Sequence, residues 1–134
     1  MNETLRTIWA TGRRKTTVAR VKLLIPGEGK VIINHRPIDK YFGNHQRHKA
    51  TLLYPLKVVP NLGKLDIYVN VVSGGVTGQA GAIRHGISRA LSKVSPEIEA
   101  ALRKHRLLGR DPRMVERKKP GQPKARKKFQ WSKR

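Results

Sequence analysis

The sequence contains no cysteine, which excludes disulfides and thiolate metal sites and fits a reducing interior. Acid is scarce: 8 Asp and Glu stand against 30 Lys and Arg, a formal net charge of +22. Phosphoryl transfer needs metal-binding carboxylates, and the few acids are scattered, several of them in turns and helix starts. Aromatics make up only 5%, too few for a single-strand stacking platform built from rows of Phe and Tyr. No apolar run approaches the roughly 20 residues needed to span a bilayer, and the basic stretches lack the Trp/Phe/Leu face of an interfacial helix. No signal peptide stands out. Met1 to Thr17 has the Arg, the Thr and the shortage of acid of a transit peptide. However, Leu5, Ile8 and Trp9 lead straight into a strand-like run, so the segment reads as mature domain inside a cell or organelle.

What is present is positive charge on a chain of 134 residues, long enough for one domain with a small core. A chain this basic repels itself when compact and is most stable beside a polyanion. RNA, DNA and an anionic membrane are the three polyanions available, and the missing apolar segments disfavour the last. Catalysis has little to work with. Ser88 has His85 three residues before it but no carboxylate nearby to complete a nucleophilic set. His45 and His48 have a spacing that metals use, yet no Cys exists and no Asp or Glu lies close in sequence, so they read as surface or RNA-facing. The expectation is a binding protein, not an enzyme, with no cofactor, no metal, no small-molecule substrate and no membrane partner.

Along the chain, Leu5 to Thr11 reads as a short strand. From Thr17 to Ile25 apolar residues alternate (Ala19, Val21, Leu23, Ile25) with Arg20 and Lys22 between them, a strand with one buried and one wet face. Pro26 to Gly29 is a turn and Lys30 to Ile33 returns as a strand, so the pair should form a hairpin. Pro37 suits the first turn of a short helix through Phe42. A second helix runs from Asn44 toward Tyr54, stopped by Pro55. Leu65 to Val72 alternates again, with Leu65, Ile67, Val69 and Val71 on one face and Asp66, Tyr68 and Asn70 on the other. A long helix follows Gly74, Gly75 and Gly78, its stripe of Ala80, Ile83, Ile87, Leu91 and Val94 backed by Arg84, Ser88, Arg89 and Lys93. Ser95-Pro96-Glu97 starts the last helix, with Ile98, Ala101, Leu102 and Leu108 apolar and Gly109 placed to close it.

Residues 1–109 therefore read as a globular domain and 110–134 as an extended basic tail. Arg117, Lys118, Lys119, Lys124, Arg126, Lys127 and Lys128 crowd that tail, no acid follows Glu116, and Pro120, Gly121 and Pro123 break regular structure. Such a segment does not offset its ordering entropy alone and needs a partner. Phe129 and Trp131 offer surfaces for stacking or wedging. Earlier in the chain, Arg13-Arg14-Lys15 puts three cations beside a strand, which favours phosphate contact over solvation. Glycines between a strand and a helix let backbone N–H groups approach phosphate. The turn at Gly75 and Gly78 serves equally as close packing.

Three motifs resemble a family. Gly12-Arg13-Arg14-Lys15-Thr16 with Ala19-Arg20-Val21 is similar to the opening of small-subunit ribosomal protein nine. Gly74 through Ile87 resembles its central signature. Asp111-Pro112-Arg113, Glu116 to Lys119, Lys124 to Lys127 and the closing Ser132-Lys133-Arg134 resemble its tail. Ser73 departs from the pattern, since many members have a third glycine there. The resemblance implies an α+β, two-layer domain: a mainly antiparallel four-stranded sheet, helices packed on one face and a left-handed βαβ crossover. It implies binding of small-subunit rRNA in the head of the subunit, beside neighbouring head proteins. The residues so assigned are Arg13, Arg14, Lys15, Arg20, Gly75, Gly78, Gln79, Arg84, His85, Arg89, Arg113 and the seven tail cations named above. It implies also that Ser132, Lys133 and Arg134 reach the anticodon stem-loop of peptidyl-site tRNA. A bacterial, plastid or mitochondrial ribosome would fit. Charge alone would also suit a DNA-compacting protein or nucleic-acid chaperone, but an ordered domain with a special strand–helix turn argues against it.

Overall fold

The structure, a computed structural model, describes residues 6–25, 27–43, 45–59, 65–110 and 120. Arg113, Arg117, Lys118, Lys119, Lys124, Arg126, Lys127, Lys128, Ser132, Lys133 and Arg134 lie outside the described residues, as do Phe129 and Trp131.

Alternation of apolar and polar residues builds three strands: β1 (Arg6–Arg14), β2 (Thr17–Ile25) and β5 (Asp66–Val72). They pair antiparallel in the order β1-β2-β5. Two short strands, β3 (Val31–Ile33) and β4 (Arg36–Pro37), extend the sheet, β3 running parallel to β5 and antiparallel to β4. Among the described residues the sheet thus has five strands where four were expected, the fifth being a two-residue pairing too short to leave a periodic signal. Three of its four pairings are antiparallel.

The expected hairpin of β2 with β3 does not form, because β5 inserts between them. The turn after β2 is held by β5 instead. Asp66 Oδ1 accepts the Glu28 and Lys30 amides at 2.9 and 3.0 Å, and the Ile67 amide donates to Lys30 O at 2.8 Å. Those amides hold the Asp66 carboxyl below its ordinary pKa, Lys30's contributing most. Alternation tells which face a residue takes; it does not tell which strand lies alongside.

Among the described residues four helices complete the domain: α1 (Ile38–Phe42), α2 (Gln46–Val58), α3 (Val76–Ser92) and α4 (Pro96–Lys104). The inner sheet face (Val21, Leu23, Ile67, Val69) and the stripe of α3 (Ile83, Ile87) form one core. There α3 packs on β1 and β2, while α2 and α4 pack on α3. The result is a two-layer α+β domain. Pro55 does not stop α2; it sits buried within the last turn, where packing offsets part of the backbone bond it forfeits. Gly109 does not close α4. The helix ends at Lys104 after a start capped by Ser95, whose hydroxyl accepts the Ile98 amide at 3.3 Å. Leu107 N–H reaches back to Leu102 O at 3.1 Å and Arg106 N–H to Arg103 O at 3.0 Å. That is a Schellman closure, with Arg106 at φ 58° in the left-handed position usually given to glycine.

Candidate nucleic-acid interface

Basic residues converge where β1 turns into β2. The two-residue link, Lys15 and Thr16, puts Lys15 at φ 54°, and Arg13 and Lys15 are exposed while Arg14 is half-buried. Arg14 runs inward along α3. A Cβ on Gly81 would come within 2.6 Å of Arg14 Cδ, so the bare backbone there is what lets the arginine lie against the helix.

Between α2 and the first half of α3 this creates a cleft of about 420 Å³, lined by Arg14, Arg47, His48, Thr51, Thr77 and Arg84 along with Ala80 and Gly81. Among the described residues no carboxylate lines it. Arg47 and Thr51 stand one turn apart on α2, and Arg84 faces them from α3. Three guanidiniums and the Thr77 hydroxyl suit a ligand with several phosphates; the Thr51 hydroxyl already donates to Arg47 O at 2.9 Å. Sequence alone does not assign Arg47, Thr51 and Thr77 to a site. The available signal was the polar face of α2, where Arg47, His48 and Thr51 recur at helical spacing.

The glycine turn divides into packed and open parts. Gly74 has φ 74°, and a Cβ there would overlap the fully buried Thr17 hydroxyl, which donates to Ser73 O at 3.2 Å. Gly78 is buried against the same threonine. Gly75 is exposed, and nothing lies within 4 Å of where its Cβ would be. It precedes α3 without a side-chain cap, so it is the member of the turn that leaves room for a phosphate at the helix start. Gln79 is spent internally: its amide donates to Ser73 O at 3.2 Å and accepts Tyr41 OH at 2.6 Å.

His85 is also engaged on both sides. Arg13 N–H donates to its Nδ1 at 3.1 Å, and Nε2 lies 3.2 Å from Leu108 O. An accepting Nδ1 and a donating Nε2 require the neutral imidazole. Burial lowers its pKa below 6.5, and Arg89 and Arg110 push the same way. His85 therefore buttresses the cluster from beneath. Arg89 donates to Thr11 O at 2.7 Å and Lys93 to Trp9 O at 2.6 Å, covering with charge the outer edge of β1. Arg20 is exposed on the opposite sheet face, away from the cleft. Arg110 donates to Lys15 O at 3.3 Å, so the last described stretch of the domain ends beside the cation cluster.

Ser88 is fully buried, its hydroxyl donating to Arg84 O at 2.8 Å. The His45 and His48 rings lie 5.4 Å apart, and among the described residues no three potential ligands gather to hold a metal ion. No helix among them is long and apolar enough to cross a membrane.

Comparison with known proteins adds lineage to this geometry. Residues 12–134 match the family described as ribosomal protein S9/S16. Two relatives named small ribosomal subunit protein uS9, from Anaeromyxobacter sp. (strain K) and Anaeromyxobacter dehalogenans (strain 2CP-1), are each 56% identical over 123 residues. That span covers 92% of this chain and 93% of each relative.

Proposed function

The chain belongs to the ribosomal protein S9/S16 family, and on that footing we propose that it binds small-subunit rRNA through the cleft between α2 and α3 and the neighbouring β1–β2 turn. It is a ribosomal protein, a structural component of the small subunit that serves translation, and not an enzyme. The single observation that carries the rRNA reading is the cleft itself: Arg14, Arg47 and Arg84 around one concavity, with no carboxylate among its described lining residues. Guanidiniums held close together repel one another and gain from phosphate.

The finer reading follows the family resemblance. The domain sits in the head of the subunit beside other head proteins, and the hand of the connection from β3 through α1 and α2 to β5 is left. The basic tail lies along rRNA, and Ser132, Lys133 and Arg134 meet the anticodon stem-loop of peptidyl-site tRNA. The bacterial relatives favour a bacterial cytoplasmic ribosome over an organellar one.

The test is the salt dependence of binding to a head fragment of small-subunit rRNA. For R47Q/R84Q, two lost phosphate contacts should flatten the slope of log K against log[salt] by about 1.4 to 1.8. Circular dichroism should remain that of the parent protein. An unchanged slope would mean that the cleft faces solvent.

A further inference from the structure

The helices cover one face of the sheet, and the other face carries an ordered set of side chains that the cleft does not use. Register aligns Trp9 with Lys22, Lys22 with Tyr68 and Tyr68 with Ile32, one rank of residues across four strands. The next rank aligns Thr11, Arg20 and Asn70. Trp9 is 58% exposed, although the Lys22 ammonium lies 5.4 Å from its ring centroid.

Two concavities share this tryptophan. One, of about 320 Å³, is lined by Arg20, Lys22, Ile32, His35, Tyr68 and Asn70 besides Trp9 and Val69. The other, of about 290 Å³, adds Arg89 and Lys93 around the edge of β1. Among the described residues no carboxylate lines either. Asp66 stands on this face one rank away, opposite Leu24, and is occupied by the Glu28 and Lys30 amides.

We propose that this open face is a second RNA surface, where a single-stranded segment stacks a base on Trp9 while Arg20 and Lys22 take its phosphates. Single exposed apolar side chains are ordinary. An indole and a phenol two strands apart, about 9 to 10 Å by strand spacing, with cations between and beside them, are not a solitary exposure. Sheet faces of this composition bind unpaired bases because every base has a π-face and every nucleotide a charge. A protein partner would have to bring acid for Arg20, Lys22, Arg89 and Lys93 and an apolar group for Trp9. RNA brings both in each nucleotide. The surface is separate from the cleft, and neither reading depends on the other.

The test uses the full chain carrying Trp131→Phe, which leaves Trp9 the only tryptophan of two, titrated with a single-stranded oligouridylate. Saturable quenching of Trp9 fluorescence is expected, and it should persist in R47Q/R84Q, so that failure of the cleft and failure of this face are distinguishable. At high salt, where phosphate attraction is weakened, Trp9→Ala should lower affinity for the labelled oligonucleotide by about 5- to 150-fold, the effect of one stacked base. Trp9→Phe should retain most of the affinity, and Trp9→Leu should behave like alanine. In reconstituted small subunits, an ultraviolet cross-link from Trp9 should run to RNA. Binding without any change at Trp9, full affinity with leucine, or a cross-link to protein would each overturn the proposal.

Discussion

Lys15 occupies a backbone position that suits glycine. Left-handed φ costs an L-residue about 1–2 kcal/mol, and the 54° at Lys15 falls in that region. Glycine removes the strain but gives back about 0.5–1 kcal/mol in chain entropy. Lys15→Gly should therefore stabilise the free protein by about 0.5–1 kcal/mol, seen as a higher melting temperature. The same change should weaken rRNA binding and reduce its salt slope by about 0.7 to 0.9. A lower melting temperature would show that the turn holds lysine without strain; unchanged binding would show that Lys15 meets only water. Arg106 repeats the pattern at the end of α4, so two exposed cations hold left-handed positions on this basic domain. His85 adds a pH dependence. Its folded pKa lies below the ordinary 6.5, so the unfolded chain binds the proton more readily. The stability from neutral His85 is complete above about pH 6.5 and declines as pH falls from there toward the lowered folded value. Between pH 7.5 and 5.5 the parent should lose more melting temperature than His85→Gln, whose amide also donates and accepts. Equal losses would remove His85 as the cause.

At the scale of elements, α3 organises the domain, and it does so by close approach. A Cβ on Gly86 would come within 2.5 Å of Val21 Cγ2 and 3.1 Å of Gly12 N, so helix and sheet meet backbone to backbone. Gly86→Ala improves helix propensity by about 1 kcal/mol, while overpacking such a contact costs about 1–3 kcal/mol. A net loss of up to about 2 kcal/mol should appear in urea unfolding; a gain would mean that the layers separate freely at this point. The faces of β2, β5 and α3 were legible beforehand because burial imposes periods of 2 and 3.6, and Leu23, Ile67 and Ile83 are all fully buried. Strand order was not legible, since β5 pairs with β2 and β3 through backbone groups, and alternation does not encode which strands pair. Pro55 misled because a proline stops a helix only when nothing offsets the lost bond, and here it is buried. Of the cleft, Arg14 and Arg84 were legible from their motifs, whereas Arg47 has meaning only once α2 lies against α3.

At the scale of the whole molecule, +22 is a destabilising load in the free chain and a binding force in the subunit. The charge is distributed over the cleft, the β1–β2 turn, the edge of β1 and the open sheet face. The tail sequence adds a further run with no acid after Glu116. Anchorage so spread makes any short segment dispensable for assembly, and that separates assembly from whatever the last residues do. Ser132 to Arg134 carries two of the 30 Lys and Arg. Docking of that segment on tRNA would rest on Lys133 and the forked guanidinium of Arg134. Subunits lacking Ser132 to Arg134 should therefore assemble at the parental rate. Their affinity for peptidyl-site tRNA should fall by about 1–3 kcal/mol, the scale of one or two charge-assisted hydrogen bonds. Filter binding of tRNA to purified truncated subunits measures the second quantity, and sucrose-gradient profiles measure the first. Parental tRNA affinity would make the end passive, and failed assembly would make it an rRNA anchor; either result removes the tRNA assignment.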